Sequence, residues 1–316
     1  KSSSAQPILE KVSSGFEKFI YKIETLQEVN VIMRRVDNIN IFKDTENLVR
    51  SNKKILNAVQ FSTDNQQLIL EDADFRAPEL KRYTENAKVV VSSKRTYEAA
   101  SLYACKGMKT AVHNFASATN PGGGVTRGSS AQEECLCRCS GLYFSLNTKP
   151  MWDGFYNPHR NTHNPIHNDD IIYTPGVVVF KKDTASPKLM NEKDWYNVDV
   201  ITCAAPNLRE KPGNIHNPGD GDKCVKVSDK KLLEIQEKRL RRILDVAVAE
   251  GEEAVILGAF GCGAFMNKPE VVALAARNAI KDYLNAFKVI EFAVYCSPRD
   301  DRNYKTFDRV LKSVAR

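Results

Sequence analysis

The sequence predicts an α/β fold in which a sheet lies between helices. From Lys88 onward, short apolar runs of strand type alternate with longer segments of helical periodicity, which is the order expected of strand-helix-strand units. Before Lys88, helical patterns such as Ile8 to Leu26 and Thr45 to Val59 are separated by polar breaks. We therefore predict a helical N-terminal flank over residues 1–87, followed by an α/β domain over residues 88–316.

The elements of this domain follow in a regular order. The predicted strands are 89–91, 110–116, 171–173, 177–180, 198–204, 254–259 and 289–296, and the predicted helices are 96–103, 229–250 and 269–287. Two segments rich in Asn and Pro, 157–170 and 209–222, are predicted to be long loops. In such folds ligands bind at the carboxyl ends of the strands, so the residues that follow the strands are the candidates for function.

The composition is that of a folded protein in a reducing compartment. Hydrophobic residues make up 42% and charged residues 27% of the 316 residues, and no apolar run is long enough to span a bilayer. The eight cysteines are scattered, mostly within apolar segments, as is typical of reduced thiols. We expect an intracellular protein, cytoplasmic or nuclear, that does not associate with membranes. The net charge of +7 is compatible with a polyanionic partner.

Three successive glycines, Gly122 to Gly124, follow the strand at 110–116. Glycine lets a backbone approach a ligand closely, and the helix predicted to begin at Ser129-Ser130 offers free amides to an anion. A phosphate group is the natural ligand of such a loop. The alternative is a tight turn that needs a positive φ, for which one glycine would suffice.

A second glycine-rich loop, Gly258 to Phe265, follows the strand at 254–259 and precedes a helix that Pro269 opens. Two such loops can hold one pyrophosphate between them. Met266 occupies the place of the third glycine of a dinucleotide-binding fingerprint, and neither loop carries the Lys-Ser/Thr pair of a P-loop. Redox and NTPase functions are disfavoured accordingly.

Gln132, Glu133 and Glu134 fall in the first turn of the helix predicted after the triple glycine. Glu133 fits a capping box with Ser130, and first turns favour acidic residues in general. Glu134 is not explained in this way. It lies just beyond an apolar arc that runs from Ala131 through Cys135 to Leu146, so we expect its carboxyl to be half-buried beside a ligand.

The triple glycine, seven intervening residues and Gln-Glu-Glu together resemble the signature of poly(ADP-ribose) glycohydrolases, and the match is close to the microbial-type members. The resemblance covers about residues 89–296 and includes the segments 173–180, 198–207 and 261–265. It implies a macrodomain-like fold, with a mixed sheet between helices, and a catalytic domain over residues 88–316. At Ala259 the chain departs from relatives that carry Asn.

The resemblance also implies roles for individual residues. Glu134 would be the catalytic acid and base, Glu133 would hold the ribose hydroxyls, Asn120 would contact the distal ribose, and Gln132 would support them. Phe265 would pack on the ribose beside the scissile bond. The residues implied to wrap the pyrophosphate are Gly122, Gly123, Gly124, Gly261, Cys262, Gly263 and Ala264.

The expected substrate is poly(ADP-ribose) on modified proteins and the expected product is ADP-ribose, with no metal or other cofactor and no direct requirement for nucleic acid. Two alternatives stay open at this stage. One is a hydrolase that removes single ADP-ribose units, and the other is a non-catalytic macrodomain that binds ADP-ribose. The intact Gln-Glu-Glu favours an enzyme over a binding module. His159, His163 and His167 have the spacing of helical metal ligands, but Pro158 and Pro165 disfavour a helix there.

Overall fold

The computed structural model describes residues 26–73, 75, 79–297 and 300–314. Within these residues a seven-stranded sheet has the order β1-β4-β5-β3-β6-β7-β2. The strands are β1 (Gln67–Ile69), β2 (Lys88–Ser92), β3 (Thr110–Ala116), β4 (Ile171–Val179), β5 (Tyr196–Ala204), β6 (Ala254–Leu257) and β7 (Val289–Ala293). Strand β4 pairs antiparallel with β1 and β5, and the other pairings are parallel. The sheet is therefore mixed, and β5, β3, β6, β7 and β2 end at one common edge.

Helices cover both faces of the sheet. Those of the described residues are α1 (Leu26–Ser51), α2 (Lys53–Asp64), α3 (Thr96–Ala104), α4 (Gln132–Cys139), α5 (Leu142–Leu146), α6 (Lys149–Met151), α7 (Asn157–Thr162), α8 (Asp229–Ala249), α9 (Pro269–Ile280) and α10 (Arg302–Leu311). A π-helical turn, Trp152–Tyr156, joins α6 to α7. None of these helices is both long and apolar enough to cross a membrane.

Alternation along the strands divides the core into two layers. In β5, Val198 and Val200 pack with residues of α3, α4 and α5, whereas Ile201 and Cys203 pack with residues of α8 and α9. Successive side chains of a strand point to opposite faces, so a strand buried on both faces is apolar along its whole length. The predicted α/β fold, with a sheet between helices, is confirmed.

The N-terminal flank differs in detail from its prediction. The helix predicted for Ile8 to Leu26 lies outside the described residues, apart from Leu26. The helix predicted for Thr45 to Val59 is divided, because Asn52 caps α2 by accepting hydrogen bonds from the amides of Lys54 and Ile55. Strand β1 was not predicted, since its three residues are too few to show alternation. It pairs with β4 and forms an edge of the sheet.

Two further predictions were wrong. The strands predicted at 171–173 and 177–180 are one strand, β4, with an irregularity in its pairing between Thr174 and Val177. The segment 157–170, predicted to be a loop, begins with helix α7. Pro158 stands in the first turn of that helix, where a missing amide hydrogen costs no intrahelical hydrogen bond.

A cluster of ionisable groups lies at the edge of the sheet where β3 and β6 begin. Glu252 is fully buried, and its Oε1 is 3.5 Å from Lys109 Nζ. Asp199 accepts hydrogen bonds from the Tyr173 hydroxyl at 2.5 Å and the Gly176 amide at 2.7 Å. Burial, together with Asp199 nearby, raises the pKa of Glu252 to about 10. Glu252 therefore holds a proton at neutral pH.

We expect Glu252→Gln to reduce the dependence of stability on pH. The folded protein binds the Glu252 proton more tightly than the unfolded chain does, so stability falls as the pH rises from the ordinary value of 4.5 toward about 10. The free energy of unfolding of the wild type should fall by up to about 1.4 kcal/mol per pH unit more than that of the variant. Urea unfolding at pH 6, 7.5 and 9 measures this difference, and parallel pH profiles would contradict the protonation of Glu252.

Candidate active site

The two glycine-rich loops leave neighbouring strands at the common edge of the sheet. Strand β3 pairs directly with β6, and the aromatic rings at their ends are in contact. The ring of Phe260 lies 5.7 Å from that of Phe115 and 4.4 Å from that of His113. Burial lowers the pKa of His113 to about 3, so this ring is a neutral part of the core. The sheet thus brings together the two loops that the sequence singled out.

The triple-glycine loop lies against the carboxyl groups of the Gln-Glu-Glu segment. Gly122 and Gly123 have φ values of +65° and +58°, which favour glycine. A Cβ on Gly123 would lie 2.6 Å from Oε1 of Glu134 and 3.2 Å from Oε2 of Glu133. The amide of Gly124 donates a hydrogen bond of 2.9 Å to Oε1 of Glu134. Both glycines are needed for the turn, and Gly123 is needed as well for the space that the carboxyl groups occupy.

Helix α4 begins at Gln132, after the N-cap residue Ala131, and not at Ser129-Ser130 as predicted. The capping-box interpretation of Glu133 is wrong as well. Glu133 points into the protein, where its Oε2 accepts a hydrogen bond from the Ser117 amide at 2.8 Å and its Oε1 accepts one from Asn114 Nδ2 at 3.2 Å. Burial raises the pKa of Glu133 to about 8, and the neighbouring Glu134 adds to the effect.

Glu134 is more deeply buried than predicted, with 7% of its surface exposed. Burial raises its pKa, although the hydrogen bond from Gly124 and the charge of Arg138 act in the opposite direction. The apolar arc predicted from Ala131 to Leu146 is not a single helix face, because α4 ends at Cys139 and Ala131 is exposed. Both carboxyl groups are thus kept from water and favour the protonated form.

Gln132 fixes the start of α4 to its surroundings. Its Oε1 accepts a hydrogen bond from the Phe115 amide at 2.9 Å, and its Nε2 donates to the His113 carbonyl at 2.8 Å and to Thr96 Oγ1 at 3.1 Å. One side chain therefore joins α4 to β3 and α3. This anchoring holds the two glutamates that follow it at a fixed distance from the sheet.

The second loop is anchored by a residue that the sequence analysis missed. Asn267 is buried and donates to the carbonyls of Pro206 at 2.7 Å and Gly261 at 3.2 Å, and it accepts from Gln236 Nε2 at 2.9 Å. Gly261 has a φ of +76° and packs against Ala205, whereas a Cβ on Gly263 would meet no atom within 4 Å. Gly263 is thus exposed, with free space beside its Cα.

The remaining residues predicted for this loop differ in their exposure. Ala264 is exposed and Cys262 is half-buried. Phe265 is also half-buried, with its ring 5.7 Å from the Arg209 guanidinium carbon and 6.1 Å from the His167 ring. These neighbours place Phe265 between His167, which precedes β4, and the start of the segment 209–222.

Asn120 lies between the triple-glycine loop and the segment 209–222. Its amide nitrogen Nδ2 donates to Oδ1 of Asn217 at 3.1 Å, and Thr119 Oγ1 donates to the same oxygen. Sequence reasoning missed Asn217 and its neighbour Asp220, because an Asn/Gly-rich loop carries no signal of which side chains turn inward.

The three histidines with regular spacing have separate environments. His159 lies within α7 and its Nδ1 is 2.8 Å from the Phe155 carbonyl oxygen, whereas His163 ends that helix with a φ of +49°. His167 lies beyond the helix and contacts the Ala205 carbonyl and Asp220. Within the described ranges, no three His, Cys, Asp or Glu side chains are placed to hold a metal ion.

A family model and several solved structures that resemble this chain all belong to poly(ADP-ribose) glycohydrolases. The family described as the microbial-type PARG (poly(ADP-ribose) glycohydrolase) catalytic domain matches residues 28–182. The solved structure of poly(ADP-ribose) glycohydrolase from Thermomonospora curvata superposes with a TM-score of 0.74 at 27% identity, covering 87% of this chain and 100% of the other. The enzyme from Deinococcus radiodurans in complex with ADP-ribose superposes with a TM-score of 0.66 at 30% identity, covering 82% and 98%.

A third solved structure, the Thermomonospora curvata enzyme bound to the inhibitor ADP-HPD, has a TM-score of 0.71 at 28% identity and covers 87% of this chain and 99% of the other. No curated protein gives a significant match. The macrodomain-like fold implied by the sequence resemblance is confirmed by these superpositions.

The contact between Gly123 and Glu134 leads to a prediction about stability. We expect Gly123→Ala to destabilise the protein by about 1–3 kcal/mol more than Gly107→Ala, because forced overpacking adds to the cost of a positive φ. Gly107 is the matched control, with a φ of +83° and no atom within 4 Å of an added Cβ. Thermal unfolding of both variants measures the difference.

The destabilisation by Gly123→Ala is expected to depend on the Glu134 carboxyl. In the double variant Gly123→Ala/Glu134→Ala the added methyl no longer meets Oε1 of Glu134, so part of the lost stability should return. Equal destabilisation by the two glycine substitutions would show that the carboxyl groups do not depend on the space at Gly123.

Proposed function

Because the chain belongs to the family of microbial-type poly(ADP-ribose) glycohydrolases, and is thus a glycosidase of ADP-ribose polymers, we propose that it releases ADP-ribose from these polymers with Glu134 as acid and base. The observation that carries this assignment is the buried carboxyl of Glu134, which is held by the Gly124 amide at the end of the triple-glycine loop. A reaction that begins with proton donation needs a carboxyl that is protonated near neutral pH. Burial acts in this direction, because it raises the pKa of Glu134 and so favours the protonated form.

The bond to be broken joins C1″ of one ribose to the 2′ oxygen of the adenosine ribose in the preceding unit. Glu134 donates its proton to the 2′ oxygen as the C1″–O2′ bond breaks, and positive charge develops on the terminal ribose ring. Water then adds to C1″ and gives a proton to the Glu134 carboxylate, which restores the starting state. One water molecule is consumed, and the products are ADP-ribose and a polymer that is one unit shorter.

The other site residues are proposed to bind the substrate. Glu133 is held in place by the Ser117 amide and Asn114 and contacts the ribose hydroxyls. Asn120 contacts the distal ribose, which is the terminal ribose of the reaction above. Phe265 packs on the ribose beside the scissile bond, and Gln132 supports the two glutamates. The proposed pyrophosphate contacts are Gly122, Gly123, Gly124, Gly261, Cys262, Gly263 and Ala264.

The exposed backbone at Gly263 supports the pyrophosphate assignment for the second loop, because a phosphate can approach a glycine backbone closely there. The bound pyrophosphate would also lie close enough to the terminal ribose to stabilise the developing cation. In the triple-glycine loop, by contrast, the Gly124 amide already donates to Glu134. The triple-glycine loop therefore has a second task beside its proposed pyrophosphate contacts, which is to hold the carboxyl group of Glu134.

The proposed substrate in the cell is poly(ADP-ribose) attached to modified proteins. We place the enzyme in the cytoplasm or nucleus, because all eight cysteines fall within the described residues and each is a free thiol, as is usual in a reducing compartment.

The division into a flank of residues 1–87 and a catalytic domain of residues 88–316 is retained as part of the proposal. Thr45 of α1 donates to the Arg138 carbonyl of α4 at 2.6 Å, so the flank supports the catalytic helix.

Glu134→Gln tests the acid and base assignment. We expect turnover of polymer to fall by roughly 10²- to 10⁴-fold or more, since an amide keeps the shape of the side chain but cannot transfer a proton. The dissociation constant for ADP-ribose should stay within several-fold of the wild-type value. Release of ADP-ribose from automodified polymerase, together with calorimetry, gives both quantities.

The matched control is Glu252→Gln, which makes the same chemical change in a buried carboxyl at the opposite edge of the sheet. It should leave both turnover and affinity unchanged. If Glu134→Gln retained a rate near that of the wild type, another group would have to supply the proton and the assignment would be wrong.

A further inference from the structure

A line of hydrogen-bonded polar side chains leads from the buried interior to Asn120. It begins at His167, whose Nδ1 lies 2.9 Å from the Ala205 carbonyl oxygen and whose Nε2 lies 3.1 Å from Oδ1 of Asp220. Both of these oxygens are acceptors. Each ring nitrogen thus faces an acceptor, and the Nε2 hydrogen is donated to Asp220.

Asp220 is the next member of the line. Its Oδ2 accepts hydrogen bonds from Asn207 Nδ2 at 2.7 Å and Asn217 Nδ2 at 3.1 Å. Burial would raise the pKa of Asp220, but the hydrogen bond and positive charge of His167 outweigh it and hold the pKa below its ordinary value. Asp220 is thus a carboxylate, and an ionised carboxylate can only accept hydrogen bonds.

The carboxylate sets the direction of the amides that follow. Asn217 must turn its NH₂ group toward Asp220, which leaves its Oδ1 to accept from Asn120 Nδ2 at 3.1 Å and from the Thr119 hydroxyl. Asn120 must then turn its own NH₂ group inward. Its carbonyl oxygen is consequently the group available to a ligand. The oxygen and nitrogen of an amide are assigned from the hydrogen-bond network. Here the charge of Asp220 determines the orientation of both amides, first Asn217 and then Asn120.

We propose that His167 and Asp220 are positioning residues, which orient the Asn120 amide so that its oxygen accepts a hydrogen bond from a hydroxyl of the terminal ribose. This role rests on the proposed function, which places Asn120 at that ribose. Neither residue contacts the substrate itself. Their effect is to determine whether Asn120 presents an acceptor or a donor.

Asp220→Asn should reverse the order of donors and acceptors. The Nε2 hydrogen of His167 holds the oxygen of the new amide, so the new NH₂ group faces Asn217. Asn217 then turns its oxygen toward residue 220 and its NH₂ group toward Asn120, and Asn120 presents NH₂ to the ribose. We expect the dissociation constant for ADP-ribose and the KM for polymer to rise roughly 3- to 10-fold. The value of kcat should change less than twofold, because the hydroxyl contact is present in ground and transition states alike.

A second substitution distinguishes orientation from mere structural support. In the double variant Asn217→Asp/Asp220→Asn, the carboxylate at residue 217 accepts from Asn120 Nδ2, so the Asn120 oxygen again faces the ribose. Affinity should return to within about twofold of the wild type. The hydrogen bond from Asn207 to residue 220 stays broken, so thermal stability should not recover with it. Affinity and stability are thus expected to separate.

The control is Asp199→Asn, which removes a buried carboxylate at the opposite edge of the sheet. It should lower thermal stability and leave the affinity for ADP-ribose unchanged. Calorimetry with ADP-ribose and steady-state kinetics with polymer are measured for the wild type and all three variants. Wild-type affinity in Asp220→Asn, or a double variant no better than Asp220→Asn, would overturn the positioning role.

The two measurements, calorimetry with ADP-ribose and kinetics with polymer, also distinguish failure of the positioning role from failure of the proposed function. If the wild type binds ADP-ribose but does not shorten polymer, the proposed function fails while calorimetry still decides the orientation of Asn120. If the wild type does not bind ADP-ribose, the positioning role falls with it. If polymer is shortened and only the double-variant rescue fails, the proposed function stands and the positioning role does not.

Discussion

The hydrogen bond from the Gly124 amide to the Glu134 carboxyl is the contact on which the rest of the site depends. It holds an ionisable group away from water, and burial of such a group is costly unless its hydrogen-bonding capacity is met. The surrounding features serve this burial. Gly123 leaves room for the two carboxyl groups, Gln132 fixes the start of α4 to β3, and α1 supports the same helix through Thr45 and Arg138.

Two differently built loops meet at the common edge of the sheet. The loop after β3 holds the two carboxyl groups, whereas the loop after β6 is anchored by Asn267 to the end of β5 and leaves its backbone open at Gly263. Because β3 and β6 are neighbours, one ligand can contact both loops, as the proposed function requires. The parallel pairing of these strands thus sets the distance between the two loops.

The sequence was sufficient for the fold and for the parts of the site that glycines and adjacent carboxyl groups mark. It predicted β3 with its observed bounds and placed both loops after strands, because apolar runs and glycines are local signals. It failed where tertiary contacts decide. Glu133 fits a capping box locally, but Ser117 and Asn114 draw it into the interior. Asn267 and Asp220 lie in polar segments whose inward-facing residues only the folded chain reveals.

In the proposed reaction, Glu134 faces the 2′ oxygen of a second nucleotide. An amino-acid side chain linked to the terminal ribose would offer a different oxygen at a different position, and a displacement of about 1 Å can cost roughly 10²-fold in rate. The most direct measurement compares the release of ADP-ribose from protein carrying long polymers with release from mono-ADP-ribosylated protein, at matched concentrations. We predict rapid shortening of the polymers and a rate about 10²-fold lower on the single unit. Equal rates on both substrates would contradict the polymer assignment and identify a hydrolase of single ADP-ribose units.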